Sequence, residues 1–436
     1  MTNEARFIRA DRAQARWDIV DLDGLLADDH RARVVVDFVE SLDLSELYSA
    51  IKAREGEPGR PPADPAIFVA LWLYATIEGV GSARELARLC ERDLAYRWIA
   101  GGAPLNYHGI ADFRVAHVAL LDRLLTESVT ALIAEGVVSL AEVAVDGTKV
   151  RAQASRDSFK TADKLERIEA AVAQRLAALK AEIASDSAAS SRRQTAARQR
   201  AALGTKARAE RARQALDKLR AEKAERTKKH RKDEEKKAEP KASLSDPEAR
   251  FMRFPDGARR PAYNAQLAVA PREGIILALT MTDRRNDAGL AQPMAEQIIA
   301  RYGRAPDNLL VDTNYAAAAD IAALAAHADR PVRVFAPPPS ESEAVKPATL
   351  ARRAKRRARE PESVKEWRRR MATPEGRTVF GLRKLIERVN GNLKNHGFGF
   401  LPVRGLIKAQ AVALWHALAH NLVTMRRLRL AAARPI

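Results

Sequence analysis

Three acidic residues stand where their neighbours make them candidates for chemistry. Asp146 closes the β-branched run of AEVAVDGTKVR, Asp312 closes the apolar run of NLLVDTNYAAAAD, and Glu387 lies in TVFGLRKLIERVNGNLKNHG between Arg383 and Lys394. Carboxylate oxygens brought together suit hard divalent ions such as Mg²⁺ or Mn²⁺, and two such ions activate a nucleophile and stabilise a leaving oxygen in phosphoryl transfer. Each residue has a plainer reading alone. Asp146-Gly147 between extended runs is a hairpin signal, because Gly accepts positive φ. Asp312 or Thr313 can cap a following helix. Arg383 and Glu387, four apart, can pair on a wet helix surface for roughly 0.2–0.5 kcal/mol.

The elements that must position these acids follow from periodicity. PAYNAQLAVA and GIILALTMT read as paired strands, NLLVD as a buried strand and PVRVFAPPP as a strand stopped by prolines, with DAGLAQPMAEQIIARYG and AAAADIAALAAHA as helices between them. This order predicts an α/β sheet of mixed strand direction with helices packed on it. Around Glu387, at 100° per residue, Leu382, Leu385, Ile386, Val389 and Leu393 share a sector of about 100°, while Phe380, Arg383, Glu387 and Lys394 fall within about 60° on another face. One continuous helix would therefore bury the aliphatic stripe and present Arg, Glu and Lys together.

The chain before residue 136 reads as helical. Asp64-Pro65 starts AIFVALWLYATIEGV, and Ser82 and Asn106 are N-cap candidates for the next helices. Arg84, Arg88, Arg92, Arg97 and Arg114 on these short helices suit a helix-turn-helix DNA reader, or else the basic solvent face of an ordinary bundle. Between residues 156 and 245 the chain is highly charged; Leu165, Ile168, Val172, Leu176, Leu179 and Ile183 recur at helical steps, a second helix holds Ala215, Leu216 and Leu219, and KKHRKDEEKKAEPK reads as a solvated arm.

Composition points to a polyanionic partner. With 75 Lys and Arg against 56 Asp and Glu, the 436-residue chain carries +19, which favours nucleic acid over a membrane surface. No apolar run approaches the ~20 residues of a membrane span, MTNEARFIRADRAQ has no signal-peptide core, and the one cysteine, Cys90, allows no internal disulfide. A cytoplasmic, nucleoid-associated protein is expected.

Together the segments resemble the bacterial insertion-sequence transposases of the DDE, RNase H-like superfamily, in the group with a Tyr-x2-Arg-x3-Glu-x6-Lys signature. Arg383-x3-Glu387-x6-Lys394 has that spacing, AVDGTKV and LLVDTNYA match the two aspartate blocks, and GRPPADP, SARELARLC, HGIADFR, SDPEARFM, AYNAQLAV and WRRRM extend the likeness. Phe380 stands where the signature has Tyr, and Asn314 where a Gly often follows the second Asp by two. The resemblance implies an RNase H-like core in which Asp146, Asp312 and Glu387 converge to hold two Mg²⁺ or Mn²⁺ ions, cutting DNA at terminal inverted repeats and joining the freed 3′-hydroxyls to target DNA. Arg383 and Lys394 would grip the backbone, with Phe380 beside them and Arg84 and Arg114 on the N-terminal helices also contacting double-stranded DNA, and a homodimer is expected on DNA. A degenerate copy acting only as a DNA-binding protein, or a nuclease without strand transfer, are the alternatives.

The expected organisation is a helical N-terminal domain over 1–135, an RNase H-like core over 136–155 and 246–425, a charged helical insertion over 156–245 and a basic tail over 426–436.

Overall fold

Alternating apolar residues make β1 (Glu142–Arg151) the central strand, with Val143, Val145 and Val150 fully buried. In the computed structural model, which describes residues 21–51, 53, 61–185, 189–229, 239–328, 330–339 and 347–432, β1 is paired on both sides. The charged arm at 230–238 and the ends of the chain at 1–20 and 433–436 lie outside the described residues.

Seven helices come first in the described chain: α1 (Arg31–Glu40), α2 (Ser45–Ser49), α3 (Pro65–Ile77), α4 (Ala83–Arg92), α5 (Leu94–Ala100), α6 (Tyr107–Ala116) and α7 (Val118–Ala134). Local chemistry starts three of them as expected. Asp64 accepts from the Ala66 N–H with Pro65 at the first helical position, Ser82 accepts from Glu85 and Asn106 from Gly109, each satisfying an orphan donor of the first turn.

After β1 the chain leaves the sheet through β2 (Phe159–Lys160), runs out along α8 (Ala162–Ser185) and back along α9 (Ala189–Lys229), and returns through β3 (Ala242–Ser243), which pairs antiparallel with β2. Leu165 packs with Ala212 and Leu216, and Arg213 reaches Glu169 at 2.8 Å, so the two helices form an antiparallel hairpin with a small core of its own. The period read from Leu165 to Ile183 is the α8 stripe.

The sheet then resumes with β4 (Arg250–Arg253), β5 (Arg259–Ala270), β6 (Ile275–Thr282), β7 (Asn308–Leu310) and β8 (Arg333–Phe335), with α10 (Ala291–Tyr302) and α11 (Ala318–Ala325) as the connections. β5 lies antiparallel to β1, β4 and β6, whereas β1, β7 and β8 run parallel. This is the mixed, RNase H-like sheet that was expected; only β4 escaped sequence reading. The chain closes with α12 (Pro347–Ala358), α13 (Glu362–Ala372), α14 (Pro374–Gly381), α15 (Leu385–Asn395) and α16 (Leu406–Ala432).

Helix α16 ties the molecule together. Strand β6 pairs only with β5, and its bare edge would be a pairing hazard. Two amides on α16 cover it: Asn421 accepts from Ile276 N–H and donates to Ile276 C=O, each at 2.8 Å, and Gln410 accepts from Met281 N–H at 2.7 Å and donates to Leu279 C=O at 2.9 Å. Its other faces pack on α3, α6 and α7, where Trp415 donates to the Arg114 carbonyl at 2.9 Å. One apolar core thus runs from Val35 and Trp72 through Leu124 and Leu414 to Val143.

His416 is the weak point of this clasp under acid. It is buried, with the Phe398 ring tilted against it at 5.0 Å between centroids, His396 and Arg114 nearby and its Nδ1 without a partner. Burial first, then the charges of His396 and Arg114, hold its pKa down from 6.5 to about 3. Between those values only the unfolded chain takes up the proton, so stability is whole above pH 6.5 and falls as acid is added. Melting followed from pH 8 to about pH 4 should show that decline, and His416→Leu should lessen it, with His420 on the same helix, also held below its ordinary value by burial, carrying part of what remains; an equal decline in the variant would place the acid sensitivity elsewhere.

Candidate active site

The Asp-Gly pair does not turn. β1 continues through Asp146 and Gly147 to Arg151, with Asp146 opposite Leu267 and Gly147 opposite Gln266 on β5, and Gly147 is not among the glycines of positive φ. Glycine is there for room. A Cβ at 147 would lie 2.5 Å from Asp287 Oδ1 and from Gln266 Nε2. The hairpin reading fails because the long pairing with β5 outweighs a two-residue turn preference.

Strand register sets the second acid beside the first. Glu142, Val143 and Ala144 pair in parallel with Asn308, Leu309 and Leu310; the same offset carried two residues further puts Asp146 level with Asp312. Asp312 also caps, accepting from Thr313 N–H at 2.7 Å at the start of a 3₁₀ turn over Thr313–Tyr315. The capping expected of Asp312 is therefore present, and its other oxygen, Oδ2, accepts from Asn314 Nδ2 at 3.4 Å.

Asp146 is held from the other side of the site. Arg383 Nη2 lies 2.9 Å from Oδ1, and Asn390 Nδ2 donates to Oδ2 at 3.0 Å. The Asp146 carboxyl is raised above the usual carboxylate range, chiefly by burial; Arg383 and the Gly147 N–H oppose this, and the charges of Asp287 and Asp312 add to it. Negative charge is therefore concentrated where the end of β7 meets the middle of β1.

The segment carrying Glu387 differs from the continuous helix expected. α14 ends at Gly381, a 3₁₀ turn spans Leu382–Lys384, and α15 begins at Leu385. Phe380 thus belongs to a separate helix, partly buried against the main core, and its common face with Arg383, Glu387 and Lys394 is corrected by this break. Within α15 the pattern stands: Asn390 is three residues and Lys394 seven residues beyond Glu387, which is one helical face. Arg383 and Asn390 bracket Glu387 in sequence, and both reach Asp146. Glu387 and Lys394 are exposed and have no hydrogen-bond or ion-pair partner among the described residues.

The three acids are not drawn into one cage. Among the described residues no group of three His, Cys, Asp or Glu is placed to hold a metal. The candidate donors are all oxygens: the Asp146 and Asp312 carboxylates, exposed Glu387 on α15, and the side-chain Oδ1 of Asn390 on the same helix, which is buried with no partner. Such oxygen donors fit Mg²⁺ or Mn²⁺ rather than a thiolate- or imidazole-seeking metal.

A fourth acid was missed. Asp287, in the loop after β6, accepts from Asn264 Nδ2 at 2.7 Å and Gln266 Nε2 at 2.8 Å, and lies 3.5 Å from Lys149 Nζ. Asn264 faces Lys149 and Gln266 faces Gly147 across the β1–β5 ladder, so this network occupies the sheet face opposite to Asp146. Gln266 in turn accepts from the buried Tyr315 hydroxyl, linking the Asp312 turn to β5. The signal was present in YNAQLAV, where two amides at i and i+2 interrupt a buried strand.

The N-terminal arginines divide. Arg84 is exposed on α4, 5.1 Å from the Tyr107 ring. Arg114, expected at the DNA surface, is corrected by its burial: it stacks 4.7 Å from the Trp72 ring and donates to the Gly81 carbonyl, and burial holds its pKa down to about 10. Arg114→Ala should cost about 2 kcal/mol, the range for a hydrogen bond to a charged group, in chemical denaturation. DNA affinity should be unchanged; a selective loss of affinity at wild-type stability would reverse the correction.

Residues 20–116 match the model of a transposase domain (DUF772), and residues 226–423 match that of the transposase DDE domain. The second match runs from the last turn of α9 through β3 into α16 and omits β1 and most of the helical hairpin. No curated protein and no solved structure gives a significant match.

Proposed function

We propose that this chain, a transposase with a DUF772 domain followed by a DDE domain, recognises the terminal inverted repeats of an insertion sequence and cuts and joins DNA with Asp146, Asp312 and Glu387. DNA transposition is the activity that a DDE transposase domain implies; the repeats, the residue roles and the strand transfer are our reading. The observation that supports it most is the parallel register of β1 and β7, which, carried past Leu310, brings Asp312 at the carboxyl end of β7, where open α/β sheets place their ligands, beside Asp146 within β1.

DDE transposases generally use divalent metal, which when bound supplies positive charge at the attacked phosphodiester and activates the attacking hydroxyl. Asp146 and Asp312 would hold two such ions from the sheet and Glu387 from α15. In cleavage, water oxygen bonds to phosphorus as the bond to the 3′-oxygen breaks, leaving a 3′-hydroxyl and a 5′-phosphate. In joining, that 3′-hydroxyl attacks a target phosphodiester, whose own 3′-oxygen departs and takes up the proton. Arg383 would exchange its pairing with Asp146 for a phosphate, and exposed Lys394 would take a neighbouring one.

No described helix is long and apolar enough to cross a membrane, and the +19 charge supports a DNA partner. The test uses the full chain with linear DNA containing the sequences that flank its gene, incubated with Mg²⁺ or Mn²⁺. Cuts at matching repeats and joined products are expected. Binding without any cut, in either metal, would favour the degenerate DNA-binding reading instead.

A further inference from the structure

The turn after Asp312 forms one side of a cavity of about 680 Å³ closed by α12 and α13. Its floor is firmly built. Trp367 is buried and donates to the Ala336 carbonyl at 3.1 Å, and Arg368 grips Glu360 through two hydrogen bonds of 3.0 and 3.1 Å. The wall toward the active site is Ala316 and Ala318, only a few residues beyond Asp312. Its rim is basic: Arg352, Lys355 and Arg356, at i, i+3 and i+4 on α12, and Arg359 just after it, are all exposed. The one acid that lines the cavity, Glu360, has both oxygens engaged by Arg368.

We propose that this groove holds an unpaired stretch of the substrate DNA strand as it passes Asp312. The rim would bind phosphates, and Ala316, Ala318 and Pro339 would contact sugars and bases. The inference rests on the reading of the strand ends as the place where DNA is cut. Pockets of about 300–1,000 Å³ take drug-sized ligands, so this one admits one or two nucleotides and not a duplex. Trp367 lies under its own cation, with the Arg368 guanidinium 5.0 Å from the ring, and offers no stacking face. Recognition therefore runs through backbone charge, and sequence preference is weak.

The experiment compares a blunt duplex of arbitrary sequence with the same duplex carrying a single-stranded tail of about 8 nucleotides, within the site sizes typical of strand-binding grooves. Binding is followed by fluorescence anisotropy without divalent metal. Wild type should bind the tailed DNA about tenfold more tightly than the blunt DNA. Arg352→Ala/Lys355→Ala/Arg356→Ala should lose most of that increment, keep its blunt-duplex affinity, and flatten the tailed-DNA salt slope by about 2, at roughly 0.7 per phosphate contact. Lys355→Glu alone should move the same way, and a matching melting temperature would exclude misfolding. Equal binding of both DNAs by wild type overturns the proposal. So does a variant that weakens both in proportion, which would make the rim a duplex-backbone contact. Because no metal is present, this readout is independent of cleavage: a wild-type protein that cuts its DNA but binds tailed and blunt DNA equally removes the groove and leaves the active-site reading standing.

Discussion

Asp146→Asn, Asp312→Asn and Glu387→Gln are each expected to abolish DNA cleavage while DNA binding persists. Each change removes one negative charge and keeps the side-chain shape, so a cation at the strand ends loses its holder while the basic surface is untouched. The expected loss is on the order of 10³-fold or more, about 4 kcal/mol of transition-state stabilisation. Asp146→Asn gives a second readout. Its carboxyl is raised chiefly by burial, so the ionised form costs stability as pH rises from the ordinary value of 3.8 through the raised one, and that cost is fully present at neutral pH. Removing the charge relieves it, while Arg383 loses its partner at 2.9 Å. The two effects oppose each other, so the melting temperature at pH 7 should stay close to wild type. Cleavage within tenfold of wild type for any of the three variants would remove that residue from the catalytic set; a loss of cleavage accompanied by unfolding would make its role structural.

Gly147→Ala should be nearly as damaging, for a reason visible only in three dimensions. The added methyl would sit 2.5 Å from Asp287 Oδ1 and Gln266 Nε2 and 3.0 Å from Asn264 Oδ1. These atoms belong to one hydrogen-bonded network with Lys149, and none can yield without disturbing the others. Overpacking costs about 1–3 kcal/mol, and losing hydrogen bonds to a charged group adds about 1.5–3. A destabilisation of about 3 kcal/mol is expected, with cleavage reduced because Asp146 is the adjoining residue of the same strand. The double variant Gly147→Ala/Asp287→Ala opens space for the methyl and should recover part of the stability lost. If Gly147→Ala melts like wild type, glycine at 147 is not required for room.

What the sequence by itself determined is what depends on near neighbours. Asp64, Ser82 and Asn106 cap their helices, the α8 stripe follows its period, and the β5–β6 hairpin lies where two strand-like runs flank a Pro/Gly turn, because caps, periods and short turns need only a few residues to form. The order of strands and helices, with the signature around Glu387, was enough for the mixed sheet. Tertiary structure decided the rest. Asp146-Gly147 runs straight because a distant strand, β5, pairs along its full length. Asp312 comes close enough for its charge to act on Asp146 because β1 and β7 lie parallel in one register, although the two are far apart in the chain. Arg114 turned inward because Trp72 and the Gly81 carbonyl supply partners inside the fold. The break after Gly381 and the Asp287 network under β1 depend on packing between segments that local pattern does not connect. Loop closure over such distances is repaid only when many long-range contacts form together, so these features belong to the folded chain as a whole.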